Sequence, residues 1–463
     1  MDTYDHLVPE MRSFIFSDCS YTDSSLTFTP QNFIKTMTSK RLFVTCLFSI
    51  LWVLVCPAFV KGQILKKSTS NPGVNYERLA RIDSVVNKYV ANNWLAGAVT
   101  LVVKNGQIIH YKGYGYDDIN TKKPLAKDAI FRIASQTKAI ASVAVMMLYE
   151  EGKLLLTDPV ENYIPEFKNA RVLEKMNEAD TTYTTIAVKR KITIKDLLTH
   201  TSGIGYAVIG SKEMNAIYAK ANIPSGIGEL KANLAEKMQT LAKLPLAHQP
   251  GQRFTYGLNT DVLGYLVEVL SGVSLDEYLR KKIFKPLGMK DTYFNVPAEK
   301  HSRVATLYTE DEDHHLQKQK TNSNGISPDY PKQQTRYFSG GAGLSSTAYD
   351  YAIFLQMMLN KGSLNGKQIL SPRVVEMMTQ NQIGDLMVGN NKFGLGFDII
   401  TEKSAAESPK NVGSFGWGGY FGTTYWADPK EQMICLIMTQ QTPNSHGDLT
   451  KKCEVLIYQA LKK

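Results

Sequence analysis

Hydrophobic and polar positions follow two different periods along the chain, and the changes between them mark the predicted elements. Apolar residues recur at helical spacing over residues 76–93, which predicts an amphipathic helix. Residues 96–116 have the pattern of a β-hairpin with Asn105-Gly106 at its turn. Residues 133–152 are apolar on most faces of a predicted helix that ends at Gly152.

The middle of the chain is predicted to be helical and its end returns to strands. We expect, in order, helices within 193–286 with loops at 202–210 and 245–255, a polar loop at 310–335, a helix at 347–361, strands at 393–400, 411–427 and 431–440 with a turn at 428–430, and a helix at 447–461.

Strands at both ends of the chain with helices between them predict a sheet that the two ends build together. We therefore expect an α/β lobe from residues 63–125 and 346–463. A mainly helical lobe, residues 126–345, would be inserted into it.

The first 62 residues have the character of a leader. The apolar run 42–55 follows Lys40 and Arg41, and small residues come after it, which is typical of a secretory signal peptide over 37–62. The run is short and Pro57 interrupts it, so cleavage after Gly62 is favoured over a membrane anchor, and lipid attachment is disfavoured. We expect a periplasmic or secreted protein with no stable membrane insertion after cleavage.

Charge and cysteine content narrow the classes of function. The net charge of +10 comes from scattered bases, without the basic patch or known module that nucleic-acid binding requires. Cys435 and Cys453 remain after the leader, and they could pair or stay as buried thiols. The acidic and histidine-rich stretch 310–315 is interpreted as a flexible charged loop, and we expect neither a metal nor a cofactor.

A candidate nucleophile lies in the segment ASQTK, residues 134–138. Ser135 and Lys138 are one helical turn apart, so their side chains share a face of an unusually apolar helix. Burial lowers the pKa of a lysine ammonium group, and a neutral lysine can take the proton of a neighbouring serine. The spacing alone leaves a surface pair and a catalytic pair equally open.

Two later stretches change that balance. PGQRFTYGLNTDVLG, residues 250–264, places Tyr256 at a loop-to-helix junction, and FGWGGYFGTTYWADP, residues 415–429, carries glycines on a strand. With ASQTK, ITIKDLLTHTSGI and GGAGLSSTAYDYAIFLQMMLNKG, these segments resemble the serine β-lactamase and penicillin-binding-protein superfamily in its class C-like branch. The resemblance runs in family order from about residue 80 to the end, and it implies a β-lactamase-like fold.

The resemblance also implies roles for single residues. Ser135 matches the nucleophile, Lys138 its base, and Tyr256 the tyrosine that relays protons to the leaving group. The third motif matches Trp417-Gly418-Gly419, and the amides of Ser135 and Tyr420 would form the oxyanion hole. Trp417, Gly418, Gly419 and Asn259 are the predicted substrate-binding residues.

The departures from the family pattern indicate the kind of substrate. β-Lactamases and peptidases carry a cation and a hydroxyl at the third motif, which suit a carboxylate, whereas Trp417 and Gly418 offer neither. Leu258 also stands where lactamases place an asparagine. Both changes resemble the Trp-Gly-Gly carboxylesterases and related acyltransferases. We expect a serine enzyme that passes the acyl group of an ester to water or an alcohol; a β-lactamase or D-alanyl-D-alanine carboxypeptidase, and a non-catalytic binding protein, are the alternatives.

Overall fold

Seventeen strands are numbered in chain order in the computed structural model, which describes residues 65–321 and 327–462. They are β1 Lys66–Lys67, β2 Gly97–Lys104, β3 Gln107–Asp118, β4 Lys123–Pro124, β5 Phe131–Arg132, β6 Arg171–Met176, β7 Tyr183–Ala187, β8 Tyr308–Glu310, β9 Leu316–Lys318, β10 Ser345–Ser346, β11 Ser363–Leu364, β12 Lys367–Gln368, β13 Lys392–Phe393, β14 Asp398–Ile399, β15 Phe415–Gly418, β16 Thr424–Asp428 and β17 Met433–Met438.

Nine of these strands form one sheet, in the order β1-β3-β2-β17-β16-β15-β14-β13, with β4 paired to β3. All neighbours are antiparallel except β1 and β3. β2 pairs with β17, so the first and last parts of the described chain meet in the middle of the sheet. This is the arrangement that the strand pattern predicted, although the lobe limits themselves stay a prediction.

Helices cover both faces of this sheet. The α-helices are Tyr76–Leu79, Arg81–Ala91, Thr137–Glu150, Ile194–Leu198, Lys212–Lys220, Leu234–Leu241, Asn259–Ser271, Leu275–Leu279, Lys285–Leu287, Ala348–Leu359, Pro372–Met378, Glu402–Ala405 and Leu449–Tyr458. A 3₁₀ turn, Ala134–Gln136, precedes the third of them. Within residues 65–321 and 327–462 no helix is long and apolar enough to cross a membrane. The predicted signal peptide lies outside the described residues, and export stays a prediction.

Two apolar cores hold the layers together. On one face, Ile82 and Val86 of the first long helix and Ile457 of the last helix pack on β2 and β17. On the other face, the helix Thr137–Glu150 packs among residues of the sheet and of the helix Asn259–Ser271. Most side chains of Thr137–Glu150 are buried, as its apolar sequence predicts, so the helix that follows Ser135 is fixed from several sides.

The structure corrects several predicted elements. The single strand predicted at 393–400 is two short antiparallel strands, β13 and β14. The single strand predicted at 411–427 is two antiparallel strands, β15 and β16, because Gly419 and Gly422 form a turn between them and Gly422 has a φ of 84°. The loop predicted from residue 310 begins with the β8–β9 hairpin, where the Asp311 carboxylate accepts from the amides of Asp313 and His315. The inserted helical region also contains the β6–β7 hairpin, which the sequence did not reveal.

Cys435 and Cys453 are free, and both are buried in the core that contains Ile82, Val86 and Ile457. Burial raises the pKa of both thiols, so they are protonated and packed as small apolar groups. Of the two alternatives that the sequence left open, the structure therefore has the buried thiols.

Candidate active site

Ser135 lies in the 3₁₀ turn Ala134–Gln136, directly before the helix Thr137–Glu150. Ala134 has a φ of 41°, in the left-handed region that costs a non-glycine residue about 1–2 kcal/mol. Two hydrogen bonds of 3.1 Å connect both sides of the turn to Leu344. The Ile133 amide donates to the Leu344 carbonyl, and the Leu344 amide donates to Thr137 Oγ1. The surrounding structure thus holds the predicted nucleophile in a strained turn.

Lys138 is buried beside the nucleophile, with only 3% of its surface exposed. Its Nζ lies 3.4 Å from Ser135 Oγ and donates to the Gly341 carbonyl at 2.8 Å and to the Tyr206 hydroxyl at 2.9 Å. The two shorter hydrogen bonds hold Nζ in place, and the longer one is directed at Ser135 Oγ. The structure thus brings the predicted nucleophile and base together.

Tyr206 is a site residue that the sequence analysis missed. It lies on the segment predicted only as a loop, and its spacing from Lys138 gave no signal because 68 residues separate them. Burial, reinforced by the nearby Tyr256, raises the pKa of the Tyr206 phenol well above its usual value. Tyr206 therefore remains a neutral hydroxyl that can accept from Lys138 without adding a charge.

Tyr256 joins the second and third motifs. Its hydroxyl accepts a hydrogen bond from Trp417 Nε1 at 3.3 Å, and the two ring centroids are 5.4 Å apart. Lys138 Nζ lies 4.6 Å from the Tyr256 ring centroid, within the range of a cation–π contact. The three motifs, widely separated along the chain, thus converge on one cleft.

Asn259 does not face this cleft, and the structure corrects its predicted role in substrate binding. It is fully buried, its Oδ1 accepts from Ser202, and its Nδ2 lies 3.0 Å from His200 Nδ1 and 3.3 Å from the Ile204 carbonyl. These contacts anchor the loop that leads to Tyr206. Asn259 therefore supports the site from behind.

His200 lies after the helix Ile194–Leu198 and packs behind Tyr256. The two ring centroids are 5.1 Å apart. Complete burial, with a smaller effect from Lys138, lowers the pKa of His200 well below its usual value. His200 is thus a neutral packing residue behind the tyrosine.

Trp417, Gly418 and Gly419 form the sheet side of the cleft. A Cβ placed on Gly419 would lie 2.5 Å from the Ile133 carbonyl, so the end of β15 touches the backbone just before the nucleophile. Tyr420 follows, with half of its side chain exposed at the cleft. This contact brings the Ser135 and Tyr420 segments together, as an oxyanion hole would require, and the assignment of their amides stays a prediction.

Asp261 lies behind Lys138, the predicted base. Its carboxylate is fully buried, and burial raises its pKa, while Ser339 and Lys138 act in the opposite direction. A Cβ on Gly341 would lie 2.4 Å from Asp261 Oδ2 and 3.4 Å from Lys138 Nζ, so only glycine fits between these two groups. The sequence analysis did not select Asp261 or Gly341.

Two cavities open on Ser135, and each is also lined by Tyr256 and Tyr420. One, of about 460 Å³, follows Trp417 and Gly418 along β15. It also reaches Lys410, whose Nζ lies 2.9 Å from a carboxylate oxygen of Glu454 and 5.6 Å from the Trp426 ring centroid. The cation in this cavity is therefore already paired. The second cavity, of about 480 Å³, extends toward residues 207–229.

Comparison with known proteins agrees with this geometry. The family model described as Beta-lactamase matches residues 82–456. Protein Rv1367c of Mycobacterium tuberculosis is 34% identical over 368 residues, which cover 76% of this chain and 88% of that protein.

Two further similar proteins are named for an enzymatic activity. Esterase EstB of Burkholderia gladioli is 29% identical over 381 residues, covering 78% of this chain and 90% of that protein. The solved structure of EstCE1, a hydrolase with promiscuous acyltransferase activity, superimposes with a TM-score of 0.71 at 25% identity and covers 82% of this chain and 99% of its own.

Proposed function

This chain belongs to the beta-lactamase family and is a serine hydrolase or acyltransferase, and we propose that its acyl donor is a carboxylic ester. Lys138 takes the proton of Ser135, whose Oγ attacks the ester carbonyl and forms a tetrahedral oxyanion. The amides of Ser135 and Tyr420 stabilise that oxyanion. Tyr256 gives a proton to the leaving alcohol, and Ser135 then carries the acyl group.

A second nucleophile completes the reaction by the reverse route. Water or an alcohol loses its proton to Tyr256, attacks the acyl–Ser135 carbonyl and releases Ser135 Oγ, which regains a proton from Lys138. Water gives a free acid, and an alcohol gives a new ester. Transfer is favoured to the extent that the aromatic side chains of Tyr256, Trp417 and Tyr420 around the cleft exclude water.

The observation that carries this proposal is the hydrogen bond from Trp417 Nε1 to the Tyr256 hydroxyl. A β-lactam or a peptide C-terminus would need a free cation at this position to bind its carboxylate. Trp417 instead directs its only side-chain donor to Tyr256, and Lys410, the lysine among the described lining residues of that cavity, is paired with Glu454. An uncharged ester fits these surroundings better than a carboxylate-bearing substrate.

The test gives the purified protein p-nitrophenyl butyrate with and without an alcohol, and measures free acid and new ester separately. We expect turnover of the ester, and Ser135→Ala to lower kcat by more than about 10³-fold with an unchanged unfolding temperature. Ser70→Ala, at an exposed serine that lines neither cavity, is the matched control. Retained activity of Ser135→Ala would exclude the mechanism.

The alternatives predict different results in the same preparation. A β-lactamase or carboxypeptidase would turn over a chromogenic cephalosporin or a D-alanyl-D-alanine peptide faster than the ester. A non-catalytic binding protein would leave Ser135 unlabelled by a fluorophosphonate probe.

A further inference from the structure

The second cavity at Ser135 is apolar along most of its wall. Beyond the catalytic residues, it is lined mainly by small and aliphatic side chains of one region of the chain, including Val208, Ile209, Ala219, Ile223, Pro224 and Ile227. Val208 and Ile209 are 57% and 49% exposed, which is a high exposure for two adjacent aliphatic residues. An apolar group bound here would remove them from water.

The charged side chain in this wall already has hydrogen-bond partners. Among the described lining residues Glu229 alone carries a charge, and its carboxylate accepts from the amides of Lys231 at 2.7 Å and Ala232 at 3.0 Å. No lysine or arginine of the described chain lines the cavity. An anionic group would therefore find no counter-charge, so the cavity selects an uncharged one.

The Tyr256 hydroxyl indicates which part of an ester enters each cavity. Its hydrogen bond from Trp417 places it toward β15, and Trp417 lines only the first of the two cavities. If Tyr256 protonates the leaving oxygen, the alcohol departs on the Trp417 side. The substituent on the other side of the carbonyl then points to the apolar cavity.

We propose that this apolar cavity is the acyl-chain site and that the preferred donor carries an uncharged, linear aliphatic acyl group longer than acetyl. The inference rests on the proposed ester chemistry of Ser135. Each methylene that enters the cavity adds about 0.8 kcal/mol of burial, which corresponds to a rise of about fourfold in kcat/KM until the cavity is full.

The experiment uses two matched substrate series with the full chain. One series varies the acyl chain from acetate to octanoate with p-nitrophenol as the constant leaving group, and the other keeps acetyl and varies the leaving alcohol. The variant Ala219→Phe narrows the cavity, and because Ala219 is exposed at the end of a helix, the larger ring does not enter the core. The control is Ala91→Phe, at an exposed alanine that also ends a helix and does not line the cavity.

We expect kcat/KM of the wild type to rise with acyl length, and Ala219→Phe to lower the octanoate value at least tenfold while acetate changes less than twofold. A change confined to the leaving-alcohol series would assign the cavity to the alcohol and overturn the proposal. Equal effects on all esters, or none, would also overturn it. Failure of the wild type to cleave even p-nitrophenyl acetate would instead contradict the proposed function.

Discussion

Among single residues, Lys138 has the surroundings that constrain the chemistry most. Gly341 and Tyr206 accept its hydrogen bonds, and the ring of Tyr256 covers it, so its Nζ stays within reach of Ser135. The Tyr206 hydroxyl accepts a hydrogen bond from Lys138 Nζ at 2.9 Å. We therefore regard Tyr206 as a positioning residue that acts through Lys138.

Replacing Tyr206 with phenylalanine tests this role. Loss of one hydrogen bond to a polar or charged partner is worth about 1–2 kcal/mol, so we expect kcat to fall about tenfold with little change in KM or in unfolding temperature. Steady-state kinetics on p-nitrophenyl butyrate measure the effect. Tyr265→Phe, whose hydroxyl contacts only Gln239 at 3.0 Å, is the control and should behave as wild type. An unaltered kcat in Tyr206→Phe would show that Lys138 does not depend on this contact.

Among the structural elements, β15 and the turn after it connect the sheet to the nucleophile. The end of the strand approaches the backbone at Ile133, and that approach requires a residue without a side chain at position 419. The neighbouring Gly418 is different, because a Cβ there would meet nothing closer than the Thr423 carbonyl at 3.6 Å. Two adjacent glycines of one motif therefore carry different constraints.

This contrast predicts different effects for two alanine substitutions. Gly419→Ala would place a Cβ 2.2 Å from Thr423 Oγ1 and 2.5 Å from the Ile133 carbonyl, so the turn must move away from Ser135 and carry Tyr420 with it. We expect kcat to fall by about 10²-fold, the size of a lost oxyanion donor. Gly418→Ala should stay within about threefold of wild type. Equal losses in the two variants would mean that the Ile133 contact does not position the site.

At the scale of the whole molecule, acid stability depends on buried groups distant from the cleft. His110 on β3 is buried, and its Nε2 lies 2.7 Å from Thr100 Oγ1 and 3.1 Å from the Tyr114 hydroxyl. Burial lowers the pKa of His110 to about 4. In the unfolded chain its pKa is near 6.5, so between pH 6.5 and pH 4 the unfolded state binds more protons than the folded state. His110 therefore contributes stability at neutral pH, and this contribution is lost as the pH falls from 6.5 to 4.

We therefore expect His110→Gln to reduce the pH dependence of stability. A shift of this size is worth about 3 kcal/mol in full, so the fall in the free energy of unfolding between pH 7 and pH 4.5 should be about 2 kcal/mol smaller in the variant. Urea denaturation at both pH values measures it. Asp350 and Asp398, whose pKa burial raises to about 6, act in the opposite direction but are present in both proteins. An unchanged pH dependence in His110→Gln would show that this histidine does not contribute to the loss of stability in acid.

The sequence by itself determined what depends on short separations along the chain. A turn such as Asn105-Gly106 and the shared face of Ser135 and Lys138 follow from local backbone geometry, and the structure has both. The ordered motifs also identified the family and the three residues that meet at the cleft. These features needed no knowledge of which distant segments touch.

Only the tertiary structure decided which side chains face the cleft. Asn259 lies three residues after Tyr256 and yet points into the protein, while Tyr206 reaches Lys138 from 68 residues away. The approach of Gly419 to the Ile133 carbonyl joins segments that are far apart in the chain, and the apolar cavity depends on a loop and a helix that meet at Ser135. Packing fixes such directions through contacts between distant residues, and a local pattern holds no information about them.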